Sequence, residues 1–567
     1  MAGHAFDHLG GFAEQAEAAT ASGANIIYAT GLGGDGYSGL PPIEILKRRH
    51  EAAAAYARRA KSHGIRLALG YLCATSIVKL ETFDQNWTLE FRSQFQTPPA
   101  EWRQQDRDGH PLPSWYGGDY QPACMNNPDW RKYEQFMVRE QLTTGHDGVF
   151  FDNPTVHPQG CYCPHCMKSF SAFLRQQGAK VTDQSLAALR QLAVQRTNDF
   201  LRFRCTIARD FLADIRRYAR TINPRALITC NNSLNSVEVF YSQCRNYGYN
   251  ISELSQAEDF VVVEDMGNQP RTLANGKTLE YGPTYKQLHA ISHGKPVVAV
   301  TIAEADYHTP PNLVRLAMAE AAANNASYLS WPTWPENQRA RMAAAIRPQA
   351  DFLRAHERLL NNTRARRDAV LFLPFRRWTE TNTCTASRLA ARLTQANLQY
   401  EVLSENNFNS AGLEDVKVVL VENLSVCDSR EQAVLEKFQR NGGRVVAANQ
   451  PGWMETLQQS IGPPAIVLRG PATLRAVVRD QPSRTLVHLL NLNVQRLSSF
   501  EDRVTPVTEV TLTCRVPFKN VRSVRALAAD ADATAGPLPF TTRREGKESV
   551  VEISVPRLQI ATIMVID

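Results

Sequence analysis

The chain has 567 residues, too many for one hydrophobic core, so two to four domains are expected, one of them large. Hydrophobic residues at 43% and charged residues at 21% exclude a disordered chain, and no apolar run reaches the roughly 18 residues that would span a membrane. The net charge of +7 is modest at this size, and the basic clusters at 47–49 and 364–367 fall on a predicted helix and a linker, which speaks against a nucleic-acid partner.

The amino terminus, MAGHAFDHLGG, lacks the basic start and apolar core of a secretory leader. The sequence as written therefore reads as cytoplasmic, or as periplasmic or secreted if a leader has been trimmed. Strand-like runs are then predicted at 25–30, 66–72, 120–125, 148–152, 226–231, 260–264, 296–301 and 327–331. Amphipathic helices lie between most of them, for example over 43–62, 130–143, 201–222 and 312–324. Eight apolar strands with helical crossovers predict a (β/α)8 TIM barrel over residues 1–362. A basic linker near 361–367 follows, after which strands at 369–373, 418–421 and 444–448 alternate with helices near 386–396 and 430–440. That pattern predicts a flavodoxin- or glutamine-amidotransferase-like α/β domain over 363–467, its last helix stopped by Gly442 and Gly443. The remaining residues, 468–567, carry short alternating segments without helices and predict a β-sandwich.

The most informative stretch is Asp-Gly-Val-Phe-Phe-Asp-Asn-Pro at 147–154, followed by Cys-Tyr-Cys-Pro-His-Cys at 161–166. An apolar strand that stops at Asp152, Asn153 and Pro154 delivers a carboxylate to the mouth of a barrel, because proline cannot continue the ladder. A carboxylate at the end of a buried strand is costly unless it has a partner or a task; the plainer task is a helix cap or loop anchor. Glu264 and Asp265 close the run at 260–263, and the pleat aims one inward and the other away. Glu304 and Asp306 follow the run at 296–301. Cys161, Cys163 and Cys166 are spaced for thiolate coordination rather than for disulfides, and a fourth ligand must come from elsewhere.

Flat apolar faces and side-chain amides, the groups that line small-molecule sites, also gather in this part of the chain. The long connection at 74–118 carries Trp87, Trp102, Trp115 and Tyr116; Asn126, Asn153, Asn231 and Asn232 gather at predicted strand ends; Trp331 and Trp334 follow the last strand. The glycine-rich loop at 31–36 does not fit a phosphate-cradling G-x-G-x-x-G, and Asp35 within it is a candidate hydroxyl ligand.

In the order of its three parts the chain resembles glycoside hydrolase family 42, the β-galactosidase group with a trimerisation domain. That family carries a C-x-C-x-x-C after the fourth barrel strand, matched by Cys161, Cys163 and Cys166, and a further cysteine, which Cys124 in Pro-Ala-Cys-Met-Asn-Asn-Pro matches. The resemblance implies a structural zinc held by these four thiols, with His165 an alternate ligand if Cys124 points away, and a homo-oligomer, dimer or trimer. It implies no organic cofactor. At the fourth strand the chain departs from the family's Asn-Glu and offers Asp152 and Asn153. It also resembles a wider set of bacterial glycosidases sharing N-N-P-x-W-R-x-Y, D-G-x-F-F-D-N and C-x-C-x-x-C. In the similar α-galactosidase and α-fucosidase barrels an Asp at this place is often the nucleophile.

These readings converge on a glycoside hydrolase, retaining, with Asp152 as nucleophile and Glu264 as acid/base. If Glu304 is the true partner, from where family 42 supplies its nucleophile, Asp152 becomes the proton donor instead. Two rivals stand beside this: a non-catalytic carbohydrate-binding or assembly protein on the same barrel, and a hydrolase in which the cysteine-bound metal is catalytic.

Overall fold

The computed structural model describes residues 2–5, 13–28, 32, 42–77, 80, 83–114, 121–232, 240–264, 271–272, 278–300, 308–330, 334–381 and 385–567. Eight parallel strands form the first unit: β1 (Ala2–Ala5), β2 (Ile26–Tyr28), β3 (Leu67–Cys73), β4 (Gly148–Asp152), β5 (Leu227–Cys230), β6 (Val261–Val263), β7 (Val297–Val300) and β8 (Ser327–Ser330). They pair in the order β5-β4-β3-β2-β1-β8-β7-β6. Between the two ends of that row, β5 and β6, a single parallel bridge joins Asn231 to Val262, flanked by backbone hydrogen bonds from Asp259 to Ile228 (2.8 Å) and from Asn232 to Val262 (3.0 Å). Leu69, Tyr71, Phe150, Val262, Val298 and Leu329 from these strands pack into one cluster inside the sheet.

Two strand expectations are corrected. The run at 120–125 is not part of this sheet; Gln121–Pro122 pairs instead with Ser76–Ile77 in a two-stranded ribbon. The missing strand is Ala2–Ala5, between β2 and β8. Among the described residues of the connection after β3, the tryptophans are packed away rather than open to a sugar. Trp87, Trp102 and Phe83 are buried in it, with Phe91 and Phe95 half-buried beside them, against Trp130 and Tyr133 of the helix Pro128–Thr143. The Asn-Asn-Pro-Asp-Trp-Arg motif starts that helix: the Asn127 side chain accepts from the backbones of Asp129 and Trp130, and Pro128 opens the first turn.

After residue 362, Ala369–Leu373, Tyr400–Ser404, Val418–Val421 and Arg444–Ala447 form a parallel sheet with the first strand between the second and third. Two antiparallel sheets, of six and four strands, complete the chain and share one core through Val478, Val487, Leu512 and Val551. Two pieces cross the expected boundaries: Arg364–Ala365 pairs with Leu474–Gln481, and Ile466–Arg469 pairs with Val507–Val516. The units are tied by buried charge, Arg475 to Glu280 at 2.5 Å and Arg315 to Asp530. Among the described residues no helix is long and apolar enough to cross a membrane.

Candidate active site

β4 enters the carboxyl end of the sheet through Gly-Val-Phe-Phe, four buried residues, and stops at half-buried Asp152. Asn153 stops it. Its φ of 47° turns the chain into the left-handed region, where asparagine is tolerated, and Pro154 follows. Three donors hold Asp152: the Tyr71 hydroxyl reaches Oδ2 at 2.6 Å, the Asn153 amide reaches Oδ2 at 3.2 Å, and the Asn231 amide reaches Oδ1 at 2.8 Å. The same Nδ2 of Asn231 donates to Oε1 of Glu264 at 2.6 Å. Asp152 on β4 and Glu264 after β6 therefore converge on one nitrogen, and their oxygens lie closer together than the sum of its two reaches.

Behind this pair are buried groups of lower polarity. Asn153 also donates to Cys73 Sγ at 3.7 Å, and burial, with the Asp152 charge second, pushes the Cys73 thiol up to about 12. Asn232 points the opposite way from Asn231, as successive residues of an extended strand must. It is fully buried, and its Nδ2 is 2.9 Å from Glu258, which also accepts from Cys230 at 2.5 Å. Burial raises the Glu258 carboxyl to about 8, so at neutral pH it is mostly protonated.

A second cluster pins the loop after β4. Cys124, Cys161, Cys163 and Cys166 are all buried, with sulfurs within 4.8 Å of one another; Cys124 Sγ is 3.4 Å from those of Cys163 and Cys166. These are too far for disulfides and suit four thiolates around one tetrahedral ion. Cys163 caps the helix Pro164–Gln176 and Cys166 lies in its first turn, where the helix dipole favours sulfur anions. Burial opposes ionisation of Cys161, but hydrogen bonds from Cys124, Cys163 and Cys166 carry its thiol well below the usual range. Hydrogen bonding to Cys161 and then Cys163, with burial, raises Cys124 in turn. Cys124 faces inward, and His165 is not among the four.

Neither a protein-family model nor a curated protein sequence matches the chain. Solved structures do match. α-L-Fucosidase isoenzyme 2 from Paenibacillus thiaminolyticus aligns with a TM-score of 0.67 at 12% identity, covering 100% of this chain and 99% of that one. A β-galactosidase from Bacillus circulans sp. alkalophilus gives 0.61 at 12% identity, over 97% and 98%. A catalytic mutant of a GH42 β-galactosidase from G. stearothermophilus gives 0.59 at 10% identity, over 98% of each chain. The chain has the fold of these glycosidases. The likeness runs the whole length of both chains rather than through one part.

Within this glycosidase fold the expected site residues divide. Asp152, Asn153, Asn231 and Glu264 come together. Three others lie elsewhere: Asn126 donates to Cys166 Sγ at 3.4 Å on the cysteine cluster, Asn232 is bound to Glu258, and Trp334 is 1% exposed in a core cluster and offers no face to a sugar. Asp35, Trp115, Asp265, Glu304 and Trp331 lie outside the described residues. Tyr71 was not foreseen. The available signal was a tyrosine two residues before the end of an otherwise apolar strand, whose hydroxyl needs a partner once buried.

Proposed function

We propose that the protein is a glycoside hydrolase cleaving O-glycosidic bonds in an oligosaccharide or glycoside, with Asp152 and Glu264 as the working carboxyl pair. One observation carries the proposal: the Asn231 amide nitrogen bonds both acids from neighbouring barrel positions, on a fold shared with fucosidases and β-galactosidases. Two carboxyl groups flanking one bond are what glycoside hydrolysis requires, and a shared donor fits the separation of roughly 5 Å of retaining enzymes better than the wider inverting one. In this reading Asp152 attacks the anomeric carbon while Glu264 protonates the departing oxygen. Glu264 then takes a proton from the water that releases the sugar from Asp152. Tyr71 and Asn231 fix the orientation of the Asp152 carboxylate.

The four thiols fit a zinc ion, which would be structural: four sulfur ligands leave no open position for water, and its chemistry would be to pin the loop after β4. The division into a barrel (1–362), an amidotransferase-like α/β domain (363–467) and a β-sandwich (468–567) belongs to the same proposal, with assembly as a dimer or trimer through the middle domain. The test is turnover of a panel of aryl glycosides by the wild type, Asp152→Asn and Glu264→Gln. The proposal expects at least one glycoside to be cleaved, and both variants to lose more than about 99% of kcat, as loss of a nucleophile or proton donor does. Full turnover in both variants would overturn the roles; no cleavage across the panel would favour a carbohydrate-binding protein.

A further inference from the structure

At the opposite, amino-terminal end of the sheet lies a cavity of about 930 Å³, large enough for a mono- or disaccharide-sized ligand. Ile26, Leu67, Val297 and Ser327, at the starts of β2, β3, β7 and β8, form one wall, and Tyr400 and Arg479 from the two later units form the other. Its lining carries six Lys or Arg residues against two Glu. One of those acids is already engaged, Glu401 with Arg367 at 2.8 Å, and the other, Glu357, is exposed.

The deepest cations form no ion pair within 4.0 Å among the described residues, although Glu401 acts on both from farther off and Asp480 on Arg479. Arg479 is 7% exposed; its Nε and Nη2 donate to Thr363 at 2.6 and 2.9 Å, and Nη1 has no hydrogen bond among the described residues. Lys286 Nζ donates to the Tyr400 carbonyl at 2.9 Å and lies 4.9 Å from that ring, with no carboxylate within 4.0 Å among the described residues. His289 donates through Nε2 to the Asn324 carbonyl at 2.8 Å, which leaves Nδ1 for another partner. Burial, then Arg479, lowers the Lys286 ammonium to about 8, and the attraction of Glu401 offsets only part of this. Side-chain amides, those of Asn325 and Asn407 among them, supply the donors and acceptors that hydroxyl groups need.

We propose that this cavity binds a polyhydroxylated anion, a sugar phosphate or a sugar acid, with Arg479 and Lys286 on the anionic group and the amides on its hydroxyls. This is a site separate from the Asp152–Glu264 pair, and it does not depend on that reading. The test is calorimetric titration of the full chain at low salt with glucose 6-phosphate, glucuronate and, as the neutral control, glucose. At least one acid is expected to bind while glucose does not, and the stronger acid identifies phosphate or carboxylate as the recognised group. Lys286→Met and Arg479→Gln should each weaken binding about tenfold or more, the size of one lost hydrogen bond to a charged group, while Asp152→Asn leaves it unchanged. Arg479 also holds Thr363, so its variant can misfold; protection of Lys286 from reductive methylation by the bound acid, read by mass spectrometry on the wild type, gives the same answer without substitution. No binding by either acid, equal binding of glucose, undiminished affinity in folded Lys286→Met, loss of binding in Asp152→Asn, or an unprotected Lys286 would each overturn the proposal.

Discussion

Replacing Asn231 by alanine removes one nitrogen and with it two hydrogen bonds, at 2.8 Å to Asp152 and 2.6 Å to Glu264. The bond to the ionised Asp152 contributes about 1.5–3 kcal/mol and that to the protonated Glu264 about 0.5–1.5 kcal/mol, and water entering the vacated space recovers part of that. We therefore expect a net loss of about 2–4 kcal/mol in transition-state stabilisation, or roughly 30- to 1000-fold in kcat/KM. The loss should fall on kcat. Asn231 is a positioning residue whose amide is occupied by the acids, so substrate affinity and KM should change little. The assay is steady-state hydrolysis of the best aryl glycoside by Asn231→Ala, with circular dichroism to show that the fold is kept. A kcat/KM within about threefold of the wild type, or a loss carried wholly by KM, would mean that the acids are held in place without their shared donor.

Gly148→Ala should destabilise the protein severely, by more than about 2 kcal/mol: a Cβ there would lie 2.0 Å from the backbone oxygen of Leu227 and force β4 from β5, which a large drop in thermal midpoint or in soluble yield would register. Metal analysis should find about one zinc per chain, lost in Cys161→Ser, with a lower thermal midpoint but near-normal kcat at low temperature; a collapse of kcat in folded, zinc-free protein would make the metal catalytic instead. Burial holds His146 and His488 neutral, each lowered to about 3. A depressed histidine contributes stability that is present above its unfolded value near 6.5 and lost as pH falls toward 3, on the order of 4 kcal/mol for each. The urea midpoint should therefore fall from pH 7 to pH 4, less steeply in His488→Asn, and a flat profile would contradict this. Glu258 acts in the opposite sense, its stability lost as pH rises through about 8.

The sequence was most readable where burial on both sides imposes a continuous apolar run. β3 and β4 are of that kind, and the end of β4 at Asp152 followed from Pro154 alone. β1 left no such trace, because Ala-Gly-His-Ala is short and small and its place between β2 and β8 is decided by partners distant in sequence. The run at 120–125 misled for the complementary reason: Ala123, Cys124 and Met125 are buried, but in the cluster outside the sheet that holds the cysteines and the aromatic layer, not as a strand of the sheet. Within the site, spacing brought Asn231 and Asn232 to the same strand end but could not say which faces inward, since a one-residue shift exchanges the two sides. Trp334 and Asn126 failed similarly: an aromatic or amide near a strand end reaches the mouth only if the following turn points it there.

In the proposed mechanism Asp152 forms the covalent bond to the sugar. Incubation with 2-deoxy-2-fluoro glycosides carrying a good leaving group, followed by peptide mapping of the inactivated protein by mass spectrometry, tests it directly. One fluoroglycosyl group is expected on the peptide spanning Asp152, absent in Asp152→Asn. A label on Glu264 or Glu304, or turnover with inversion and no label at all, would contradict it.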